Sequence, residues 1–137
     1  MIDKKEQIVR SYFKGWIDND NSIIEKYFSA NISYVESWGP AYKGIEEVKL
    51  WFENWHVNSK GLIWEIEESI VLEKRIICEW YFKHKHNEDI NEFNGVSLID
   101  FDNNNKIIKV KEFMSVLPIS YPYGSKVVAN GGGSNKD

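Results

Sequence analysis

The second half of the chain constrains the fold more than any other part of the sequence. Apolar and polar residues alternate along it with a period of two, which is typical of strands that bury one face. Only short polar segments interrupt the alternation, including residues 73–75 and the Asn run 103–105. Asn tolerates the positive φ of a tight turn. The sequence therefore predicts a four-stranded antiparallel meander of two long hairpins, with strands at residues 62–72, 76–86, 90–102 and 106–117.

The first half of the chain has helical periodicity instead. Ile8, Tyr12 and Trp16 recur every four positions, which predicts an amphipathic helix over residues 4–18. A short second helix is predicted to begin at Ser22, and a third to follow Gly44 and end near residue 58. Between the second and third helices, residues 32–38 alternate as a strand and stop at a Gly-Pro pair.

Three helices and one early strand followed by a meander define an α+β order. We predict a cone-shaped, curved antiparallel sheet packed against the three N-terminal helices, with a ligand site at its open end. A single domain is expected over residues 1–124. Residues 125–137, with the run Gly-Gly-Gly-Ser at 131–134, are expected to form a flexible C-terminal tail.

Composition narrows the classes of function. Aromatic residues make up 15% of the 137 residues and include six Trp, which indicates a dense core or a lined cavity. The net charge is -4 and Lys and Arg do not cluster, so neither a nucleic acid nor a membrane surface is expected as a partner. The single Cys, the charged N-terminus and the lack of a long apolar run predict a cytoplasmic location. No P-loop or dinucleotide fingerprint is present, so no cofactor is predicted.

Several segments resemble the NTF2-like superfamily, and within it the SnoaL-like and ketosteroid-isomerase-like branch. The resemblance covers residues 4–116 and implies the cystatin-like roll of that superfamily. Its motifs establish an architecture more than a reaction, because this fold hosts isomerases, cyclases, dehydratases and non-enzymes. The segments that carry the resemblance are Tyr-Phe-Ser-Ala-Asn at 27–31, Val-Glu-Ser at 35–37, Lys-Gly-Ile-Glu-Glu-Val at 43–48, Asn-Gly-Val-Ser-Leu-Ile-Asp-Phe at 94–101 and Lys-Ile at 106–107.

The resemblance also implies roles for particular residues. Ketosteroid isomerases place an oxyanion-donating Tyr on the first helix and a carboxylate base on the first strand, positions that Tyr12 and Glu36 occupy here. Their second donor, an Asp, is replaced by Ser97. Because a hydroxyl is a weaker acid than a carboxyl held in an apolar site, the replacement does not favour steroid isomerisation. It leaves a general pocket for proton transfer.

Two further residues are candidates for proton transfer. The strand register of the family that the sequence resembles implies that Glu112 faces the pocket, opposite Glu36. Two carboxylates in one pocket can take separate acid and base roles. His84 follows on the predicted inner face of its strand and could return a proton. Each has a structural alternative: a salt bridge for Glu112, and simple exposure for either carboxylate or for His84. The pair His84 and His86 has metal-ligand spacing without a third ligand, so no metal is predicted.

The predicted pocket would take a small apolar molecule, cyclic or aromatic. The residues expected to enclose it are Trp16, Tyr34, Trp38, Trp55, Trp80, Phe82 and Met114.

The sequence leaves the function open between three hypotheses. The first is a small-molecule pocket protein of the SnoaL-like group that performs cofactor-independent acid/base chemistry of the isomerase, cyclase or dehydratase type. The second is a non-catalytic ligand-binding or protein-interaction module of the same fold. In the third, the Trp side chains fill the pocket and the protein acts only as a dimer. Resemblance alone leads us to expect a homodimer that pairs through the exposed face of the sheet.

Overall fold

The computed structural model describes residues 2–124. Three helices and six strands follow one another along the chain, and the helices pack against the sheet. The predicted tail at 125–137 lies outside the described residues. The elements are α1 Lys4–Ile17, α2 Ser22–Tyr27, β1 Phe28–Val35, β2 Ala41–Lys43, α3 Ile45–Asn58, β3 Ser59–Val71, β4 Arg75–His86, β5 Asp89–Phe101 and β6 Ile107–Val116.

Local sequence explains the main boundaries. The side chain of Asp3 accepts a hydrogen bond of 2.7 Å from the backbone N–H of Lys5 and caps the start of α1. Gly44 precedes α3 with a φ of 83°, which a glycine adopts without a steric penalty. Asn105 has a φ of 59° in the turn between β5 and β6. The Asn run at 103–105 is predicted to form a tight turn because Asn tolerates this left-handed conformation.

The strands form one curved sheet that does not close, in the order β2-β1-β6-β5-β4-β3. The predicted α+β class and the antiparallel meander of β3 to β6 are confirmed. Irregularities in register interrupt the β3–β4 pairing at two places, between Gly61 and Ile63 and between Ile66 and Glu68. Such irregularities bend a strand, which helps long strands curl around the helices.

Two details of the predicted sheet are wrong. The sheet is mixed rather than antiparallel, because β1 pairs parallel with β6. The excursion through β2 and α3 carries the chain to the far edge before the meander begins, so β1 and β6 meet with the same direction. The early strand also ends at Val35, not at residue 38. The segment beyond it turns back, and Glu36 and Trp38 lie in this turn.

The core lies between α1, α3 and the concave face of the sheet. Tyr12 and Phe13 of α1 and Phe52 of α3 are fully buried in it. They contact inward-facing residues of the central strands, such as Ile76 and Ile99, in one continuous cluster. Among residues 2–124, no helix has both the length and the apolar character that a membrane crossing requires.

Candidate functional site

A cavity of about 540 Å³ opens between the concave face of the sheet, α1 and α3. This volume lies within the range of known small-molecule sites. All six Trp side chains of the protein line the cavity without filling it, in contrast to the hypothesis of a pocket filled by Trp. They come from five elements: Trp16 from α1, Trp51 and Trp55 from α3, Trp64 from β3, Trp80 from β4 and Trp38 from the turn after β1.

Helical spacing and strand register bring these rings together. Trp51 and Trp55 lie one turn apart on α3, and their ring centroids are 4.7 Å and 5.4 Å from that of Trp16. On the sheet, Trp64 and Trp80 face the same side of neighbouring strands with perpendicular rings 5.8 Å apart. The result is an aromatic wall on the helix side and another on the sheet side.

One wall of the cavity carries a buried chain of three polar groups. The hydroxyl of Tyr34 donates a hydrogen bond of 2.6 Å to Glu112 Oε2, and it also bonds to the hydroxyl of Tyr12. Since the Tyr34 hydrogen is committed to Glu112, Tyr12 is the donor in the second bond. The chain therefore runs from α1 through β1 to β6, and its last member, Tyr34, is the one that donates to the Glu112 carboxyl.

Burial changes the protonation of Glu112. Loss of hydration raises the pKa of its carboxyl from the ordinary 4.5 to about 8, and the neighbouring charge of Glu36 adds to the increase. Hydrogen bonds from Tyr34 and Ser97 oppose this increase. At neutral pH the Glu112 carboxyl is thus mainly protonated, and it lines the cavity as a neutral acid.

Glu36 is the second carboxylate of the cavity and has a different environment. The hydroxyl of Tyr42 donates to its Oε2 at 2.6 Å, and the indole N–H of Trp38 donates to its Oε1 at 3.1 Å. Burial raises its pKa, and these two donors limit the increase. Glu36 and Glu112 are therefore two carboxyl groups in one cavity whose surroundings affect their protonation differently.

The other predicted proton-transfer residues occupy less direct positions. Tyr12 is fully buried behind Tyr34 and is not part of the cavity lining. The Oγ of Ser97 accepts a hydrogen bond of 2.8 Å from the indole N–H of Trp80. The predicted pair of donors, Tyr12 and Ser97, is thus engaged with protein groups and does not present two free hydroxyls to a ligand. The physical reason is that both lie one layer beneath the aromatic wall.

His84 lines the cavity, as its register predicted. Burial lowers the pKa of its imidazole, and the adjacent His86 lowers it further, so the ring is neutral at neutral pH. His86 itself lies within hydrogen-bond distance of Ser59, with 2.8 Å between Nδ1 and Oγ. Among residues 2–124, no three His, Cys, Asp or Glu side chains cluster as metal ligands would.

All seven predicted wall residues line the cavity, but two of them do so only at its rim. Trp38 is 71% exposed and Met114 is 44% exposed, because both lie where the strands leave the core. Trp16, Tyr34, Trp55, Trp80 and Phe82 lie deeper.

Sequence reasoning missed several members of the site, among them two Trp and one Tyr. Trp51 and Trp64 line the cavity, although the helical spacing of Trp51 and the strand alternation at Trp64 were both visible in the sequence. Tyr42 lies on β2, a strand of three residues that is too short to show an alternating pattern. Its position two residues after the Gly-Pro pair was the one available signal, because such a turn can return a chain to the strand it has just left.

The curved sheet over helices with a cavity at its open end is the architecture of the NTF2-like superfamily. The family model for the SnoaL-like domain matches residues 9–110, which is most of the chain. The protein therefore belongs to the SnoaL-like family, as the sequence resemblance indicated. No curated protein matches the chain.

Solved structures share this fold at low sequence identity. A protein with a ketosteroid isomerase-like fold from Catenulispora acidiphila, in complex with trimethylamine, superposes with a TM-score of 0.71 at 14% identity, over 80% of this chain and 85% of that one. A protein named as a SnoaL-like polyketide cyclase from Shewanella denitrificans superposes with a TM-score of 0.66 at 15% identity, over 81% of this chain and 90% of that one. An LEH-like epoxide hydrolase from M. tuberculosis superposes with a TM-score of 0.72 at 8% identity, over 80% of this chain and 76% of that one.

Proposed function

We propose that the cavity binds a small, mainly apolar molecule and that Glu112 and Glu36 transfer protons to and from it. The observation that carries this proposal is the pair of carboxyl groups in one aromatic cavity, each with its own set of hydrogen-bond donors. A protein that needs an acid and a base at the same pH obtains them by placing two such groups in different surroundings.

Glu112 is suited to the role of acid. Its carboxyl is mainly protonated at neutral pH because its pKa is about 8, so it can give a proton to a bound oxygen or carbon atom. The carboxylate left behind would be stabilised by the hydroxyl of Tyr34, which already donates to Oε2. Tyr12 supports Tyr34 from the core and acts on Glu112 only through it.

Glu36 is suited to the role of base. Two donors, Tyr42 and Trp38, stabilise its ionised form, while its burial keeps its affinity for protons above that of an exposed Glu. This division revises the sequence interpretation, in which Tyr12 and Ser97 held a developing oxyanion. In the revised scheme the neutral carboxyl of Glu112 takes that place.

Proton transfer alone conserves the electrons of a substrate, so an acid and a base suffice for isomerisation, cyclisation or dehydration. The relatives named as a polyketide cyclase and an epoxide hydrolase fit chemistry of this class on small molecules. We therefore propose cofactor-independent acid/base catalysis on a small cyclic molecule, in a protein that works in the cytoplasm as a homodimer.

A ligand screen with matched variants tests this proposal. The wild-type protein, Glu36→Gln and Glu112→Gln are screened by thermal shift against small cyclic carbonyl compounds, with Glu79→Gln as the control because Glu79 is exposed on β4. A compound at about 100 times its dissociation constant adds about 2.7 kcal/mol to stability and raises the melting temperature visibly.

Each outcome of the screen has a definite meaning. We expect a compound that stabilises the wild-type protein and is converted by it and by Glu79→Gln, while each of the two cavity variants binds it and loses most of the turnover. If a compound binds but neither cavity variant alters its conversion, the catalytic part of the proposal is wrong and a non-catalytic binder remains. If no compound in a broad panel stabilises the protein, the pocket function is wrong.

A further inference from the structure

The charge of the cavity lining has one sign. Among the described residues that line the cavity there is no Lys and no Arg, whereas Glu36 and Glu112 present carboxyl groups to it. The one basic side chain among these described lining residues, His84, is kept neutral by burial. A third Glu at the rim, Glu92, directs its carboxylate to the outer face of the sheet, where it accepts a hydrogen bond of 2.9 Å from Tyr81 and lies opposite Lys83. An anionic ligand would therefore meet carboxyl groups and find no cationic partner in the cavity.

The aromatic side chains of the lining are mainly indoles. Indole binds cations over its face more strongly than the rings of Tyr or Phe do, and all six indoles of the protein lie here. On the helix side, Trp16, Trp51, Trp55 and Tyr34 surround one part of the cavity, and the centroids of Trp51 and Tyr34 are 4.8 Å apart with tilted rings. Tyr42 stacks on one face of Trp51 with a centroid distance of 4.5 Å and so holds the ring at the cavity wall.

These two features, an aromatic enclosure and an excess of carboxyl groups, recognise the same chemistry. We propose that the ligand of the cavity carries an ammonium group, tertiary or quaternary, attached to an apolar body. The inference rests on the proposed ligand-binding function and specifies its substrate class. A neutral apolar molecule would bury the same surface but gain nothing from the carboxyl groups or from the charge distribution of the indole faces.

The positive charge has a consequence for Glu112. A cation in the cavity favours the ionised carboxylate, so its binding lowers the pKa of Glu112 from about 8 and releases a proton. The charged and titratable groups that face Glu112 are Glu36, Tyr34 and Tyr12, and Ser97 lies opposite it on β5. None of these carries a positive charge, so the ligand would supply the first one. The affinity for the cation is therefore expected to rise with pH around 8.

Two compounds of equal shape test the inference directly. The meta-(hydroxymethyl)phenyltrimethylammonium ion and meta-tert-butylbenzyl alcohol differ only in the atom at the centre of the branched group, nitrogen with a positive charge or carbon without one, and neither has a group that titrates between about pH 7 and about pH 9. Their dissociation constants for the wild-type protein are measured by titration calorimetry at about pH 7 and about pH 9. We expect the cation to bind at least ~10 times more tightly, which corresponds to about 1.4 kcal/mol, with a larger ratio at the higher pH.

The comparison of the two compounds uses only the wild-type protein, so its result does not depend on whether a variant folds. If the neutral compound binds as tightly as the cation or more tightly, the ammonium inference is wrong while ligand binding in the cavity is upheld. If neither compound binds, the inference is also wrong. The proposed function then stands or falls on the carbonyl panel, so the two failures are distinguishable.

Variants locate the cation within the cavity. Trp55→Leu removes an indole and is expected to weaken binding of the cation more than that of the neutral compound, whereas Trp55→Phe keeps an aromatic face and is expected to recover part of the loss. Glu36→Gln is expected to weaken the cation alone, and Glu79→Gln to change neither compound. Equal losses for the two compounds in Trp55→Leu and Glu36→Gln would contradict recognition of charge.

Discussion

Glu112 and Glu36 share a cavity but differ in the groups that reach them. Glu112 accepts a hydrogen bond from Tyr34, the last hydroxyl of the buried chain, and its surroundings are mainly apolar. Glu36 lies in a turn near the rim and receives one hydroxyl and one indole donor. Desolvation is the largest cause of the raised pKa at both groups: it takes the pKa of Glu112 to about 8, while the donors Tyr42 and Trp38 limit the rise at Glu36.

The raised pKa of Glu112 predicts how stability depends on pH. Since the folded protein holds this proton more tightly than the unfolded chain does, its contribution is complete below pH 4.5 and is lost as the pH rises through about 8. The loss is on the order of 3–5 kcal/mol, at about 1.4 kcal/mol for each pKa unit. Glu112→Gln removes this titration, so the variant is expected to gain stability relative to the wild-type protein between pH 5 and about pH 9.

Urea unfolding at the two pH values measures this difference. The control is Glu79→Gln, whose exposed side chain should keep the stability difference from the wild-type protein constant with pH. A difference between Glu112→Gln and the wild-type protein that does not change with pH would show that Glu112 titrates as an ordinary Glu.

The hydroxyl chain predicts a second effect at Glu112. In Tyr34→Phe the carboxyl loses a donor that lowers its pKa, so its pKa is expected to rise further above 8. The Tyr12 hydroxyl is also left buried without its acceptor, which is expected to cost about 1–3 kcal/mol of stability. NMR titration of the carboxyl and urea unfolding measure the two effects.

Tyr81→Phe is the matched control for this prediction, because it too removes a hydroxyl that donates to a Glu, but at the exposed rim. The Glu112 pKa should not change in this control. If Tyr34→Phe lowers the pKa of Glu112, the direction of the hydrogen bond assigned here is wrong.

At the scale of elements, the sheet-side wall of the cavity depends on a glycine in β5. Gly95 pairs with Trp80 of β4 on one side and with Met114 of β6 on the other. A Cβ atom at this position would meet the Trp80 ring and would come within 2.7 Å of the Phe113 carbonyl oxygen. The absence of a side chain is what allows the Trp80 indole to lie across β5 and reach Ser97.

Gly95→Ala is therefore expected to displace Trp80 and to cost about 1–3 kcal/mol of stability, since the backbone of β6 cannot move aside freely. Urea unfolding measures the loss, and tryptophan fluorescence reports the displaced ring. Ser115→Ala, an exposed change on the neighbouring strand β6, is the control. An unchanged stability for Gly95→Ala would mean that the wall does not depend on this close approach.

The sequence predicted the long elements and missed the short ones for a common reason. Strands of more than ten residues, such as β4, repeat their alternation often enough to place Trp80 and Phe82 on the inner face. The three residues of β2 contain no such repeat, so the contact between Tyr42 and Glu36 had no signal in the pattern. The parallel pairing of β1 with β6 depends on the topology of the whole chain, and the sequence pattern of neither strand indicates it.

The same limit applies within the site. Register correctly turned Glu112 and His84 toward the cavity, because alternation fixes the face of a strand. Register does not say which inward group lies in the first layer and which lies behind it. The placement of Tyr12 beneath Tyr34, and of Ser97 beneath Trp80, follows from three-dimensional packing between α1, β1 and the meander.

At the scale of the molecule, the convex face of the sheet carries apolar side chains that residues 2–124 do not cover. Phe113 on β6 is 48% exposed, and Val96 and Leu98 on β5 are half-buried beside it. The expected homodimer would pair through this face. Light scattering after size exclusion is predicted to give twice the chain mass of 16.1 kDa for the wild-type protein and the monomer mass for Phe113→Glu. A wild-type monomer at high concentration would contradict this proposal.

The proposed mechanism requires a neutral carboxyl group, that of Glu112, in an aromatic cavity beside the second carboxyl group, that of Glu36. A carbon-13 NMR titration of the Glu side-chain carboxyl signals tests it most directly, with Glu112→Gln to assign the signal. We expect one signal that titrates near pH 8 and disappears in Glu112→Gln. If every Glu signal of the folded protein titrates within the ordinary range around 4.3, the acid assigned to Glu112 does not exist and the proposed mechanism is wrong.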